Sequence, residues 1–216
     1  HSSKFDFLFL QIQYFAYQIV YPYIQGTKIV LMKCIFKMPV SHWLPDATTK
    51  KLLSNIKINT FLDIGAGAGK YGKMISKYHP KSKKFGLEID AKYIEEYNLH
   101  EIYDEILNFP AIDLIDKAID STYDLVIIGD CIEHMKKSEG IDLLNFLVYR
   151  SKYILIHYPN EYVQGTVDDH IHEAHISIWH ESDFQAFDYK FIKNGFMHTY
   201  AIDGYLRKKS MLNKLT

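Results

Sequence analysis

This sequence predicts an α/β fold, a doubly wound and mostly parallel sheet with helices on both faces, and three observations carry the prediction. Segments of strand and helix character alternate from Thr60 to His157, the pattern of βαβ units in a parallel sheet. A run of small residues, Gly65-Ala66-Gly67-Ala68-Gly69, joins the first strand to the helix after it. Such a turn lets backbone approach a nucleotide-like ligand closely, with helix N–H groups aimed at it. Asn194-Gly195 then lies between two short runs near the end of the chain, a hairpin signal that adds an antiparallel strand.

Taken in order, His1-Ser2-Ser3 reads as an expression remnant and is set aside from the fold. Phe7 to Thr27 holds no charged residue and is rich in aromatics. Its length permits a membrane span, which needs ~20 apolar residues, but Gln11, Gln13, Gln18, Gln25 and Pro22 argue against one. The first reading is an aromatic-rich helix or helix pair packed on the domain or on a partner subunit. A membrane-surface anchor and a non-native leader ending before Met38 are the others. Residues 1–38 are therefore expected to be an N-terminal extension, and 39–216 a single domain.

A lead-in loop from Pro39 carries His42 and Trp43, which either line a pocket or pack on the core. A helix follows, with Asp46 as its N-cap and Leu52, Leu53 and Ile56 as its apolar face. Strands are expected at 60–64, 84–89, 102–107, 123–128 and 152–157, and helices at 69–78, 91–98 and 138–149. A short helix near 181–187 precedes the terminal hairpin.

Composition narrows the function classes. The chain of 216 residues is 48% hydrophobic and 24% charged, ordinary for one globular domain. A formal net charge of −1 supplies no field that would favour nucleic acid or an anionic membrane, and the Arg207-Lys208-Lys209 run reads as a solvated end. The 17 Tyr and 13 Phe suit aromatic-lined pockets as well as cores. Cys34 and Cys131 make no disulfide framework, which fits a reducing, cytoplasmic compartment; Cys131 reads as a spacer before it reads as a nucleophile.

Asp63 sharpens the glycine turn. A carboxylate placed there can accept hydrogen bonds from a cationic amine and would repel a pyrophosphate. The spacing Gly65-x-Gly67-x-Gly69 also departs from the G-x-G-x-x-G of dinucleotide sites. Asp63-Ile64-Gly65-Ala66-Gly67-Ala68-Gly69 resembles the first motif of class I S-adenosylmethionine-dependent methyltransferases. Phe85-Gly86-Leu87-Glu88-Ile89-Asp90 resembles their second strand and its terminal acid. Tyr123 to His134 resembles their fourth strand, with the Glu133-His134 pair of many small-molecule methyltransferases. The three stretches fall in the order of that family, and the resemblance covers residues 40–207.

The resemblance implies a Rossmann-like sheet and S-adenosylmethionine as cofactor, held by Asp63, Gly65, Ala66, Gly67, Gly69, Glu88, Ile89, Asn108, Phe109 and Asp130. Glu88 takes the place of the ribose acid, with Asp90 as a helix N-cap, and adenine is expected near Ile89 and Asn108-Phe109. Many relatives carry an acid where Asn108 stands, so that assignment rests on the amide carbonyl. His134, His175 and His157 are the candidate bases, set against a reading of Glu133-His134 as a loop-ordering pair.

The stretch 157–180 gathers His157, His170, His172, His175 and His180 with Asp168, Asp169 and Glu173. Glu173-Ala174-His175-Ile176-Ser177-Ile178-Trp179 resembles a stretch after strand five in methyltransferases of glycan and secondary-metabolite pathways. The first reading is a substrate loop, then a solvated loop, then a metal site. No metal is assigned, because His170-x-His172-x-x-His175 lacks the helical i, i+4 spacing of a zinc enzyme.

The expected function is methyl transfer to a small-molecule acceptor, first a hydroxyl of a sugar or polysaccharide precursor. N-methylation and a non-catalytic cofactor-binding partner subunit are the alternatives, and a homodimer is left open.

Overall fold

The computed structural model describes residues 41–160, 164–166, 170–212 and 215. The chain divides into two units, His1–Met38 and Pro39–Thr216, and everything below concerns the second. The expectations for residues 1–38, and for Asp168 and Asp169, lie outside the described residues.

The described elements run α1 (Asp46–Leu53), β1 (Thr60–Ile64), α2 (Lys70–Tyr78), β2 (Lys83–Leu87), α3 (Ala91–Glu96), β3 (Glu105–Leu107), α4 (Leu114–Lys117), β4 (Tyr123–Gly129), α5 (Lys137–Arg150), β5 (Ser151–Pro159), β6 (Tyr189–Asn194) and β7 (Met197–Asp203). They build a seven-stranded sheet in the order β3-β2-β1-β4-β5-β7-β6. β1 pairs in parallel with β2 on one side and β4 on the other, so the strand order reverses there. In an open α/β sheet the crevice beyond the carboxyl ends of the strands at that reversal is where ligands bind. β7 enters antiparallel between β5 and β6. The alternating, mostly parallel sheet and its C-terminal antiparallel hairpin are as the sequence predicts.

Two-residue periodicity sorts the core. Leu62, Ile64, Val126, Ile128, Ile154 and Ile156 face one side, where they pack with Leu143, Leu144 and Leu147 of α5. Their neighbours Phe61, Leu125, Ile127 and Leu155 face the other, against Leu52 and Leu53 of α1 and Tyr71 and Ile75 of α2. Each of these side chains is essentially withdrawn from water, which stabilises the fold by about 1.5–3 kcal/mol per large aliphatic group.

Four local expectations shift. Pro45 occupies the N-cap of α1 and Asp46 its first turn; the Asp46 carboxylate pairs with Lys70 instead. β2 ends at Leu87, leaving Glu88 and Ile89 just beyond the strand. β3 begins at Glu105 because Leu99–Glu101 closes a 3₁₀ turn and Leu99 and Tyr103 are drawn into the α2 side of the core. The hairpin turn is Gly195-Phe196, since Asn194 pairs with Met197; Gly195 at φ 67° supplies the positive φ such a turn needs.

Asp124 anchors the amino end of the central strands. Its carboxylate accepts the Asn59 N–H at 2.6 Å and meets Lys152 Nζ at 2.5 Å. Burial works against its ionisation, but these partners overcome burial and hold its carboxyl below the ordinary value. A depressed folded-state pKa gives stability that is present above the unfolded value of ~3.9 and lost as pH falls through the folded one. Asp124→Asn should lower the urea-unfolding free energy by about 1–3 kcal/mol at neutral pH, with the difference shrinking in measurements below pH ~3.

Candidate functional site

The β1–α2 loop gathers Gly65, Gly67 and Gly69 at φ of 74°, 49° and 73°. An added Cβ would stand 2.7 Å from Cys131 at Gly65 and 2.5 Å from Ile102 Cδ1 at Gly69. Cys131 thus packs against the glycine loop, and burial pushes its thiol pKa well up. The loop is laced to the end of β2: Gly65 and Ala66 N–H both donate to Leu87 O, at 2.9 and 3.0 Å, and Gly67 N–H donates to Glu88 Oε2 at 2.8 Å. Glu88 Oε1 accepts the Asp90 N–H at 2.9 Å. Burial raises the Glu88 pKa against those two hydrogen bonds.

Asp90 caps α3 through Lys92 N–H, as the sequence predicts. Asn108 Nδ2 donates to Glu88 O at 2.7 Å and Ile89 O at 3.1 Å. Its amide hydrogens are thus committed to backbone, and contact with a ligand falls to its carbonyl oxygen. Ile89 is exposed. Phe109 lies against the α5 side of the core with Lys117 Nζ 4.4 Å from its ring centre.

Asp63 requires a correction. It stands within β1, paired with Gly86 and Ile127, and is wholly buried. Strand parity turns it to the same side as Phe61, where the Tyr103 hydroxyl donates to its carboxylate. Gly86 leaves room for that tyrosine, since a Cβ there would meet its ring at 2.9 Å. Burial, opposed by the Tyr103 hydrogen bond, pushes the Asp63 pKa up to about 8. A carboxyl so placed stands in the strand beneath the loop and not in the turn itself, and its Oδ1 has no hydrogen-bond partner among the described residues.

The segment 41–46 lies across the ends of β1 and β4. Lys70 Nζ reaches Ser41 O at 3.1 Å, His42 O at 2.6 Å and Asp46 Oδ1 at 2.5 Å. Ser41 Oγ donates to Gly129 O at 3.2 Å, and His42 N–H donates to Asp130 Oδ2 at 2.8 Å. Asp130 has a left-handed φ of 50°, and burial raises its pKa to about 6 against the His42 hydrogen bond and the Lys70 charge. The His42 ring meets Phe196 edge-on, and Trp43 is 47% exposed. Lys70 and Tyr103 were not picked out by sequence reasoning; the position of Lys70 directly after Gly69 is the signal that could have found the first.

The histidine-rich stretch is sent to separate places. His170 Nδ1 lies 2.6 Å from Asp90 Oδ2 and its ring stacks on Tyr93, which places it beside the end of β2. His175 meets His134 edge-to-face, ring centres 4.7 Å apart, beyond β4. Ile176 and Ser177 N–H both donate to Glu133 O, and Trp179 Nε1 donates to Ile132 O. Those bonds hold residues 174–179 against the 132–134 turn. His134 Nδ1 is 3.2 Å from Ala174 O, and burial with the nearby His175 lowers the His134 pKa to about 4. Glu133 is 3% exposed, and neither of its carboxylate oxygens has a hydrogen-bond partner among the other described residues. Burial first and Asp130 second push its pKa well up. One ligand atom each from Glu133, His134 and His175 lie within 4.8 Å of one another.

His157 leaves the set of candidate bases. It is wholly buried in β5, one ring nitrogen 3.1 Å from Thr49 Oγ1 and the other 2.9 Å from Thr199 Oγ1. Both sites for a proton are engaged inside the core.

The fold and the loop geometry together define an α/β sheet of the methyltransferase type. Similar solved structures include an O-methyltransferase family protein from Burkholderia thailandensis, at TM-score 0.56 and 13% identity over 77% of this chain and 57% of that one. Another is a SAM-dependent methyltransferase from Archaeoglobus fulgidus, at TM-score 0.55 and 13% identity over 74% of this chain and 94% of that one. A third is the plantazolicin methyltransferase BpumL in complex with SAH, at TM-score 0.54 and 17% identity over 74% of this chain and 82% of that one. The chain therefore spans 57% of the length of the Burkholderia protein. No protein family profile matches the sequence, and no curated protein matches it. The likeness bears out the fold expected from the sequence motifs.

Burial lowers the His157 pKa to about 3. The unfolded chain, with an ordinary histidine near ~6.5, binds more protons below that pH, so stability is full above ~6.5 and falls as the solution is acidified toward the folded value. His157→Gln should flatten the unfolding free energy between pH 6 and 4 by up to ~1.4 kcal/mol per pH unit, checked by chemical denaturation across that range.

Proposed function

We propose that this chain transfers a methyl group from S-adenosylmethionine to a small-molecule acceptor, with an oxygen favoured as the atom methylated. The observation that carries the reading is the Glu88 carboxylate bonded to Gly67 N–H at the end of β2, beside the strand reversal where such a sheet binds its ligand. Each Glu88 oxygen accepts one backbone hydrogen bond and keeps a second lone pair for a ribose hydroxyl. The left-handed glycine loop allows close approach of the backbone. These residues fit the cofactor: Gly65, Ala66, Gly67, Gly69 and Glu88 would hold it, with Ile89, Asn108 and Phe109 toward adenine and Asp130 toward the methyl-donating end. When bound, S-adenosylmethionine supplies an electrophilic methyl group on sulfur.

The chain's own contribution is alignment and handling of the acceptor's proton. Glu133, His134 and His175 are the groups proposed to receive the acceptor hydroxyl, on the side of the sheet end away from Glu88. The stretch 174–179, bonded to the 132–134 turn, supports a role as the loop over that acceptor. Ile176 and Ile178 are exposed along it and give an acceptor an apolar face to lie against. Nucleotide-linked sugars and hydroxylated metabolites are the acceptor classes to screen first. The net charge of −1 supplies no field that would favour a nucleic-acid acceptor.

Calorimetric titration should show binding of S-adenosylmethionine and S-adenosylhomocysteine but not NAD. Loss of both by Glu88→Ala would accompany it, and binding of NAD alone would overturn the reading. His175→Ala should lower turnover by ~10²–10⁴-fold, the range of an acid–base contribution, while S-adenosylhomocysteine affinity stays near that of the parent. An unchanged rate would remove His175 from the acceptor site.

A further inference from the structure

We infer that Glu133, His134 and His175 form a binding site for a divalent transition-metal ion, which grips the acceptor oxygen of the methyl transfer proposed above. The inference rests on that reading for its role, though not for the site itself.

Three observations carry it. The ligand atoms of the three side chains lie within 4.8 Å of one another. Atoms bound to one ion at ~2.1 Å are at most ~4.2 Å apart, so a small inward turn of the side chains closes the set. Glu133 is 3% exposed, with both oxygens lacking a hydrogen-bond partner among the other described residues. A buried carboxylate without a partner carries a large desolvation cost that a cation would offset. Thirdly, His134 Nδ1 faces the Ala174 carbonyl at 3.2 Å. A proton on Nδ1 donated to that carbonyl leaves the Nε2 lone pair for a metal, the backing that ligand histidines commonly have.

Two imidazoles and one carboxylate suit a first-row transition ion and leave coordination positions open. An acceptor hydroxyl bound at an open position becomes more acidic. Its O–H bond then breaks with the electron pair kept on oxygen and the proton passed to solvent, a route that with the ion bound replaces direct proton transfer to a histidine. The cluster joins residues on two separate segments, the 132–134 turn and residues 174–179. Metal binding would therefore also fasten the acceptor loop.

The test is titration of the chelator-treated full chain with Zn²⁺ by calorimetry and with Co²⁺ by visible absorption. Parent protein and His172→Ala, an exposed histidine outside the cluster, should bind a single ion per chain. Glu133→Gln and His175→Ala should bind it at least ~10–100-fold more weakly, since even loss of an outer-shell partner costs that much. A thermal melt of each variant, run alongside, confirms that it is folded. No ion bound by the parent, or equal binding by folded Glu133→Gln, would overturn the site. S-adenosylhomocysteine bound by protein that takes up no ion would overturn the metal and leave methyl transfer standing. An ion bound at this cluster without S-adenosylhomocysteine binding would do the reverse.

Discussion

The carboxylate of Glu88 is the constraint on which the sheet end depends. One oxygen fixes Gly67 in the β1–α2 loop and the other fixes Asp90 at the start of α3. Asn108 holds the same stretch from the β3 side by donating to the carbonyls of Glu88 and Ile89. Three crossovers are thus registered to one another by a single short segment. A glycine loop with left-handed residues gains its freedom at an entropic cost, and it needs such an external partner to hold one shape. The nearly buried acid provides that partner.

Much of this was legible in the sequence because the signals are local. Strand alternation, the glycine run and Asn194-Gly195 each report on a few adjacent residues, and together they fixed the sheet and its hairpin. Asp63 was misplaced for a reason the same periodicity contains. Being two residues from Phe61 in a strand buried on both faces, it points where Phe61 points. What the sequence could not show was Tyr103, forty positions away, waiting on that face opposite Gly86. Lys70 escaped for the same reason, since its partners Ser41, His42 and Asp46 come from a segment brought back over the loop.

The histidines show the limit most clearly. As a string they look like one cluster, and spacing offers no means of dividing them. The fold sends His157 into the core between two threonines, His170 to Asp90 and His175 to His134. Each destination is set by a strand end or turn distant in the chain, so pairwise spacing within 157–180 carried almost no information about it. The Glu133-His134 pair was visible, but its third member belongs to another segment.

Electrostatics ties the site together. Asp63, Glu88, Asp130, Glu133 and Glu173 all have carboxyl groups whose pKa is raised, burial being the largest cause in every case. Lys70 answers part of this charge, and it is occupied by two backbone carbonyls and Asp46. Evolution of a stable core would replace such acids with apolar groups, because an unpaired buried carboxyl costs more than it returns. Their concentration at this end of the sheet couples cation binding to ionisation, because a nearby positive charge favours the charged form that burial disfavours. Under the proposed function, a sulfonium with its ammonium group, and a divalent ion beyond β4, are the kinds of ligand that would draw these carboxyls back to the charged state.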